Sequence, residues 1–201
     1  MECLLPSTRR VLKILEAEAD FLADYVIVGG SALSMRLCHR FSEDLYFFTY
    51  KDRFDKARIF DFFRGKDYQL INDSRGQTDL IIEGVKLSFF NAGWDFLKPE
   101  KAAGFNVASL GQLAGMKVHT LFLRATYRDY YDLYVLSLKM SLEELYQNAL
   151  LFIDGLNYKL FSMALIYLDD IADDDIAHLE PEFNITKDEI SRHFIEKLKG
   201  S

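Results

Sequence analysis

The sequence is that of a mid-sized acidic chain with enough apolar residues for a substantial core. It has 201 residues, 50% of them hydrophobic, and a formal net charge of −7 at pH 7. That charge argues against general electrostatic capture of nucleic acid, although a local basic patch is compatible with it. No apolar run approaches the roughly 20 residues of a membrane-spanning helix, and the residues after Arg10 lack the apolar stretch of a signal peptide. We therefore expect a soluble cytoplasmic protein with no membrane partner.

The chain contains two cysteines, Cys3 and Cys38. Neither has the spacing of a metal ligand, and two cysteines in a chain of this length do not suggest a disulfide scaffold. We expect two free thiols, with Cys38 acting as a small apolar filler.

The first half of the chain predicts helices and strands in alternation. Apolar residues recur at helical spacing over Ser7–Ala23, and apolar, β-branched or aromatic runs predict the strands. The predicted strands are Tyr25–Val28, Leu45–Thr49, Tyr68–Asn72, Asp79–Glu83 and Val85–Asn91, and a further helix is predicted over Phe54–Phe63. The last three strands predict an antiparallel meander that completes a mixed sheet. The stretch Asn91–Gly104 is interpreted as an irregular crossing.

The second half predicts helices only. They are expected from about Ser109 to Arg124, Arg128 to Lys139, Ser141 to Ile153, Asn157 to Ile171 and Thr186 to Lys199. Two of these starts carry a capping box, Ser141 with Glu144 and Thr186 with Glu189. The predicted fold class is α/β, a mixed β-sheet flanked by helices and followed by an α-helical bundle, with domains at 1–106 and 107–201.

The most informative local feature is a glycine turn between the first strand and a short helix. Gly29 and Gly30 end the strand and allow positive φ or a close approach of a ligand to the backbone. Ser31 stands where we expect the helix N-cap. Because free amides at a helix N-terminus attract phosphate, this turn predicts a phosphate-binding site.

The following strand carries a candidate metal ligand. Asp44 precedes Leu45–Thr49 and would coordinate a divalent cation that bridges phosphate oxygens. Arg40 and Ser42 lie just before it and would either contact phosphate or hold the loop. Two residues after Asp44, on the same face of the strand, stands Tyr46, a poor magnesium ligand because its hydroxyl ionises only near pH ~10.

Two segments together resemble the AbiEii-type toxin family of nucleotidyltransferases. Residues 28–33 and 39–48 are similar to the family pattern Gly-Gly-Thr/Ser-Ala-Leu … His-Arg-x-Ser-x-Asp-Leu-Asp-Phe-Phe, with Tyr46 in place of its second acid. Residues 114–118, Arg124 and 127–134 are similar to a Met-Lys followed by Arg/Lys-Asp-x-x-Asp-Leu-Tyr. The likeness covers about Tyr25 to Leu136. It implies a nucleotidyltransferase-like fold for the predicted sheet.

The resemblance also implies a function and more site residues. It implies transfer of a nucleotide from an NTP to an acceptor, with tRNA or protein as acceptor, Mg²⁺ or Mn²⁺ as cofactor and an antitoxin protein as a possible partner. It places Lys117, Asp129 and Asp132 in the site. Lys117 would stabilise developing charge, Asp129 would be the site carboxylate, and Asp132 would pin the helix. From the residues alone, a structural ion-pair ladder between two helices is the alternative.

Tyr46 leaves three hypotheses open. The chain is an active nucleotidyltransferase, with Asp44 as main ligand; or a degenerate one that binds a nucleotide or RNA without transfer; or a protein-interaction module that kept the scaffold. A basic group after the second strand is either an RNA-facing surface or, more simply, a solvated face. Its members are Lys51, Arg53, Lys56, Arg58, Arg64 and Lys66. The acidic run of residues 169–175 is most simply a solvated loop.

Overall fold

The computed structural model describes residues 2–50, 54–168, 171 and 176–200. The chain divides into two compact units, Met1–Ser109 and Leu110–Ser201. The domain boundary predicted after residue 106 stays a prediction. Within the described residues no helix is both long enough and apolar enough to cross a membrane.

The first unit is built on a seven-stranded sheet in the order β3-β4-β5-β2-β1-β7-β6. Its strands are Tyr25–Val28 (β1), Leu45–Thr49 (β2), Gln69–Ser74 (β3), Gln77–Ile82 (β4), Val85–Phe90 (β5), Glu100–Ala102 (β6) and Phe105–Val107 (β7), and its helices are Pro6–Glu18 (α1), Gly29–Leu37 (α2) and Lys56–Phe63 (α3). β2 runs parallel to β5 and β1 parallel to β7, while the other pairs are antiparallel. The predicted mixed sheet flanked by helices is confirmed.

Side-chain alternation along β2 separates an apolar face from a mixed face. Leu45, Phe47 and Thr49 are buried, and the Phe47 ring stacks on Phe89 at 5.0 Å between centroids. Tyr46 and Phe48 point to the other face and are half-buried. Burial of Leu45 and Phe47 therefore fixes the register of β2 and presents Tyr46 on the opposite face.

Two predictions about the first unit are wrong. The opening helix ends at Glu18 rather than Ala23, and a 3-10 turn over Asp20–Asp24 leads into β1. The helix begins at Pro6, one residue before the predicted Ser7, and the fixed φ of proline suits the first helical turn. The stretch Asn91–Gly104 is also not wholly irregular, since it contains β6. The β6–β7 hairpin was missed because its strands have three residues each.

The basic group after β2 is paired with acids in the part that the structure describes. Lys51 and Arg53 lie outside the described residues. The other four members form salt bridges, namely Lys56–Asp73, Arg58–Asp20, Arg64–Asp61 and Lys66–Glu18, at 2.5 to 3.1 Å. This pairing favours the solvated-face interpretation over an RNA-binding surface.

The second unit is helical, as predicted. Its helices are Leu110–Leu123 (α4), Tyr127–Ser137 (α5), Leu142–Ala149 (α6), Tyr158–Ile166 (α7) and Lys187–Lys199 (α8), with a 3-10 turn over Ala177–Leu179. The capping boxes at Ser141 and Thr186 are confirmed. α7 ends at Ile166, before the predicted Ile171, and the acidic run lies outside the described residues except for Ile171.

Candidate functional site

The glycine turn joins β1 directly to α2. β1 ends at Val28 and α2 begins at Gly29, whose φ of +73° is one that residues other than glycine rarely adopt. A Cβ on Gly29 would also lie 3.3 Å from the ring of Tyr46. Positive φ at this turn was predicted, and the structure adds that Tyr46 lies against it.

Gly30 makes room for an arginine. A Cβ at this position would lie 2.9 Å from Nη2 of Arg40 and 3.2 Å from Oγ of Ser42. Arg40 is buried, and its Nη1 donates to the backbone oxygen of Phe41 at 2.9 Å. A positive charge is thus held against the start of α2, where helix amides and a guanidinium would attract the same anion.

Ser31 does not cap α2, which corrects the prediction. It lies inside the helix, because the helix begins two residues earlier, and it is fully buried. Its hydroxyl donates to the backbone oxygen of Asp44 and lies 2.9 Å from the hydroxyl of Ser42. Ser31 therefore ties the glycine turn to the loop that carries Asp44, and Ser42 belongs to the same connection. We call the six residues Gly29, Gly30, Ser31, Arg40, Ser42 and Asp44 the glycine-turn cluster.

Tyr46 reaches back to the predicted metal ligand. Its hydroxyl donates to Oδ2 of Asp44 at 3.5 Å, and both side chains are half-buried. The ring thus covers Gly29 while its polar end contacts the carboxylate. Tyr46 therefore occupies the place of a second acid without offering a second charge.

The N-terminal segment holds the loop before β2. The Leu5 amide donates to the Ser42 backbone oxygen at 3.2 Å, and the Thr8 hydroxyl donates to that of Glu43 at 2.6 Å. A disulfide joins Cys3 to Cys38, with their Cα atoms 5.2 Å apart. The prediction of two free thiols is therefore wrong, because this contact of the N-terminal segment brings the cysteines within bonding distance.

The residues around Asp44 fit a divalent cation only in part. Asp44 is a hard oxygen donor of the kind Mg²⁺ and Mn²⁺ prefer, and the buried hydroxyl of Ser88 on neighbouring β5 has no hydrogen-bond partner among the described residues. However, Tyr46 replaces a second acid, and the described part of the chain has no group of three potential ligands among His, Cys, Asp and Glu. The residues around Asp44 therefore fit a cation that is held by a single carboxylate. They do not fit a cation that is held by a pair of acids.

The second unit contains a buried charge cluster that we call the lysine cluster. Nζ of Lys117 on α4 lies 2.8 Å from Oδ1 of Asp129 and 2.7 Å from Oδ2 of Asp132, both on α5. All three residues are buried. The structure thus brings together the lysine and both acids named from the sequence. These contacts agree both with a functional site and with a structural ion-pair ladder between the two helices.

The environment of Asp129 keeps its charge. Burial raises the pKa of this carboxyl, but the Lys117 charge, hydrogen bonds from Lys117 and Thr126 and the Arg124 charge outweigh it and lower the pKa below its ordinary value. Asp129 also forms a capping box with Thr126, the N-cap of α5. This box was not predicted, because the helix was expected to begin at Arg128, although Thr126 stands three residues before an acid.

One further acid near the site was missed. Asp79 on β4 is buried and pairs in register with Ser88, which in turn pairs with Tyr46. The three therefore share one face of the sheet. The available signal was the alternation along β4, which places Asp79 on the face opposite Leu80.

These features define a nucleotidyltransferase-like fold. A protein from Helicobacter pylori assigned as a nucleotidyltransferase superposes with a TM-score of 0.61 at 16% identity, over 97% of this chain and 94% of that one. MenT4, a nucleotidyltransferase toxin from Mycobacterium tuberculosis H37Rv, superposes with a TM-score of 0.53 at 15% identity, over 94% and 84%. At these identities the likeness is one of fold.

The sequence comparison is more specific. Residues 81–159 match the family described as nucleotidyl transferase AbiEii toxin, Type IV TA system, which confirms the resemblance predicted from the motifs. An uncharacterized protein of Aquifex aeolicus (strain VF5) is 28% identical over 185 residues, which cover 88% of this chain and 87% of that protein. The matched range contains the lysine cluster.

Proposed function

We propose that this protein transfers a nucleotide from an NTP to an acceptor, either an RNA such as tRNA or a protein. The observation that carries the proposal is the glycine-turn cluster, in which a helix N-terminus, a buried guanidinium and a carboxylate come together within one loop. The family match at residues 81–159 supports the same class of reaction.

The glycine turn and Arg40 would bind the triphosphate. The first amides of α2 have no partner within the helix, and Gly29 and Gly30 let phosphate approach the backbone. Arg40 would add a fixed charge without large rearrangement, because its guanidinium already lies against Gly30. Ser31 and Ser42 would act indirectly by holding the loop in place.

Asp44 would hold the divalent cation, Mg²⁺ or Mn²⁺. Such a cation neutralises phosphate charge and orients the transferred group. Asp44 immediately precedes β2, and the hydrogen bond from Ser31 to the Asp44 backbone oxygen holds this residue in place. By holding the cation, Asp44 would orient the bound nucleotide.

The lysine cluster would serve the same reaction. In the proposal Lys117 stabilises charge on the transferred group, Asp129 is the site carboxylate, and Asp132 holds Lys117 in place. The lowered pKa of Asp129 keeps it ionised at neutral pH. This assignment rests on the family match, which spans all three residues.

The type IV toxin–antitoxin description of the matched family gives the proposal a context. In that context the NTP is the substrate and an antitoxin is the counterpart of this chain. MenT4, a protein of similar fold, is itself described as a nucleotidyltransferase toxin, which agrees with this context.

Tyr46 favours a second candidate function. Its ring lies against Gly29 and its hydroxyl contacts Asp44, so it occupies space that an entering phosphate and cation would need. The alternative is a degenerate nucleotidyltransferase that serves as a nucleotide-binding or protein-interaction module.

Calorimetric titration separates these candidates. Each NTP is titrated with Mg²⁺ into the wild type, into Asp44→Ala and into the control Asp61→Ala, which removes an exposed acid on α3. We expect Mg²⁺-dependent binding of at least one NTP that Asp44→Ala abolishes and Asp61→Ala preserves. Absence of binding for every NTP would contradict the proposal.

Transfer itself needs a second experiment. The protein is incubated with radiolabelled NTP and total tRNA, or with the protein alone as acceptor, in the wild type and in Tyr46→Asp. Label incorporation that Asp44→Ala abolishes supports the transferase. Nucleotide binding without transfer in the wild type, with transfer gained in Tyr46→Asp, supports the degenerate form.

A further inference from the structure

A row of three residues crosses β2, β5 and β4 on the face that carries the candidate site. Tyr46 pairs with Ser88, and Ser88 pairs with Asp79. Residues paired across strands point to the same face, and neighbouring strands lie about 4.8 Å apart. The row therefore extends from the Tyr46 position to a carboxylate two strands away, roughly 10 Å at the backbone.

The middle of the row is a buried hydroxyl in need of a partner. Ser88 is 1% exposed, and its Oγ has no hydrogen-bond partner in the described part of the chain. Leaving a buried hydroxyl unsatisfied is costly, so such a group usually binds a water, an ion or a ligand.

The end of the row is a buried carboxylate whose charge is incompletely matched. Asp79 is 4% exposed, and its two oxygens accept from the Gln77 amide at 2.9 and 2.7 Å. The amide is neutral, and the cation nearest to Asp79 among the described residues is Lys86, whose Nζ lies 4.0 Å from Oδ2. A buried carboxylate without a close counter-charge is costly, which suggests that a cation approaches it in the working protein.

We propose that Asp79 is a positioning residue for the divalent cation, supplying the second negative charge that Tyr46 does not. Asp44 would bind the cation directly, and Asp79 with the Ser88 hydroxyl would hold its water shell. Mg²⁺ keeps several of its waters in protein sites, so a carboxylate can act on it through water. This inference rests on the proposed function, because it needs a cation at Asp44.

The same geometry gives Lys86 an opposing role. Its ammonium is the nearest positive charge to Asp79 in the described part of the chain, and its side chain is 38% exposed, so it is able to move away. The two cations would compete for the charge of Asp79. Removing Lys86 should therefore tighten cation binding, whereas removing Asp79 should weaken it.

The test is the affinity of the full chain for Mn²⁺. It is measured by calorimetry and by the electron paramagnetic resonance signal of free Mn²⁺. We expect Asp79→Asn to weaken Mn²⁺ binding about tenfold or more, as loss of an outer-shell partner does. Lys86→Met should tighten it. The matched control is Asp73→Asn, which removes an exposed acid from β3, the next strand of the sheet.

A double variant distinguishes a cation role from a structural one. If Asp79 supplies the charge absent at Tyr46, Tyr46→Asp should restore Mn²⁺ affinity in the Asp79→Asn background. If Asp79 only holds Gln77, one of two results is expected. Either the Mn²⁺ affinity of Asp79→Asn matches that of the wild type, or its Mn²⁺ affinity falls and the loss persists in the double variant. Either result overturns the inference. Urea unfolding of each variant ensures that folded proteins are compared.

The outcomes also separate this inference from the proposed function. Mn²⁺ binding that needs Asp44 but ignores Asp79→Asn would overturn the inference alone. Mn²⁺ and NTP binding that are both unaffected by Asp44→Ala would overturn the proposed function, and the inference with it.

Discussion

Ser31 ties the glycine turn to the loop before β2 through a hydroxyl and a backbone oxygen, whereas the lysine cluster is held together by direct contacts between charged side chains. Ser31 binds a backbone oxygen and a hydroxyl, and Arg40 donates to a backbone oxygen. Lys117 instead contacts two buried carboxylates directly.

This difference bears on what each cluster can do. The hydroxyl and backbone groups that tie the glycine turn to the loop before β2 fix the position of the turn and add no charge of their own. Paired charges in a buried cluster stabilise one arrangement strongly and penalise the loss of any partner. We therefore expect substitutions in the lysine cluster to affect folding, and substitutions in the glycine-turn cluster to affect nucleotide binding more than folding.

The largest effect is expected for Lys117→Met. It leaves Asp129 and Asp132 buried without the cation that contacts both, and breaking a buried pair in this way costs about 3–5 kcal/mol of unfolding free energy. Urea unfolding measures the loss, with Lys159→Met on the exposed face of α7 as control. The triple variant with Asp129→Asn and Asp132→Asn should recover part of it. A loss for Lys117→Met below about 1 kcal/mol, the range of surface pairs, would contradict the charge-based description.

The next effect is expected when the disulfide is removed. The bridge spans 35 residues, and closing a loop of that length contributes about 3–4 kcal/mol in the chain-entropy account. Cys3→Ser with Cys38→Ser, or dithiothreitol on the wild type, should lower unfolding free energy by up to that amount. Because the bridge precedes the loop of Arg40 and Ser42, NTP affinity should fall too. If dithiothreitol changes neither quantity, the cysteines behave as the free thiols that the sequence predicted.

Gly30→Ala should separate binding from folding. Its Cβ would displace the guanidinium of Arg40, which lies 2.9 Å away at the far end of a flexible side chain, so the loss of unfolding free energy should stay near the low end of the about 1–3 kcal/mol that overpacking costs. NTP binding should weaken by more than this cost explains, because the charge moves away from the turn. Calorimetry and urea unfolding are compared with Gly76→Ala, where a Cβ meets nothing within 4 Å. Unchanged NTP affinity in Gly30→Ala would remove Arg40 from the binding site.

The sequence predicted those features that depend on neighbours along the chain. The strand that ends at Val28, the turn at Gly29 and the capping boxes at Ser141 and Thr186 are set by residues within one or two turns of each other, so their patterns are readable. The same alternation correctly placed Tyr46 on the face of Asp44, where the hydrogen bond between them is found.

The sequence did not predict contacts between distant segments. The bonds of Leu5 and Thr8 to the loop before β2 join residues more than 30 positions apart, and no local pattern marks them. Asp79 was missed because its neighbours follow from the registers of β4 with β5 and of β5 with β2. The β6–β7 hairpin was missed because strands of three residues show no clear periodicity.

The smallest effect, a change with pH, follows from the lowered pKa of Asp129. A carboxyl whose pKa is lower in the folded than in the unfolded chain adds stability above its unfolded value, about 3.9, and loses it as pH falls through the folded value. The unfolding free energy should therefore drop with acid below about pH 4, and the drop should be shallower in Asp129→Asn.

The effect is smaller than the others because one carboxyl titrates while Lys117 keeps its contact with Asp132. Urea unfolding at a series of acidic pH values measures both slopes, and the slopes are compared because Asp129→Asn also lowers stability at neutral pH. Equal slopes would mean that Asp129 is not held ionised by Lys117, which would contradict the charge-based description of the lysine cluster.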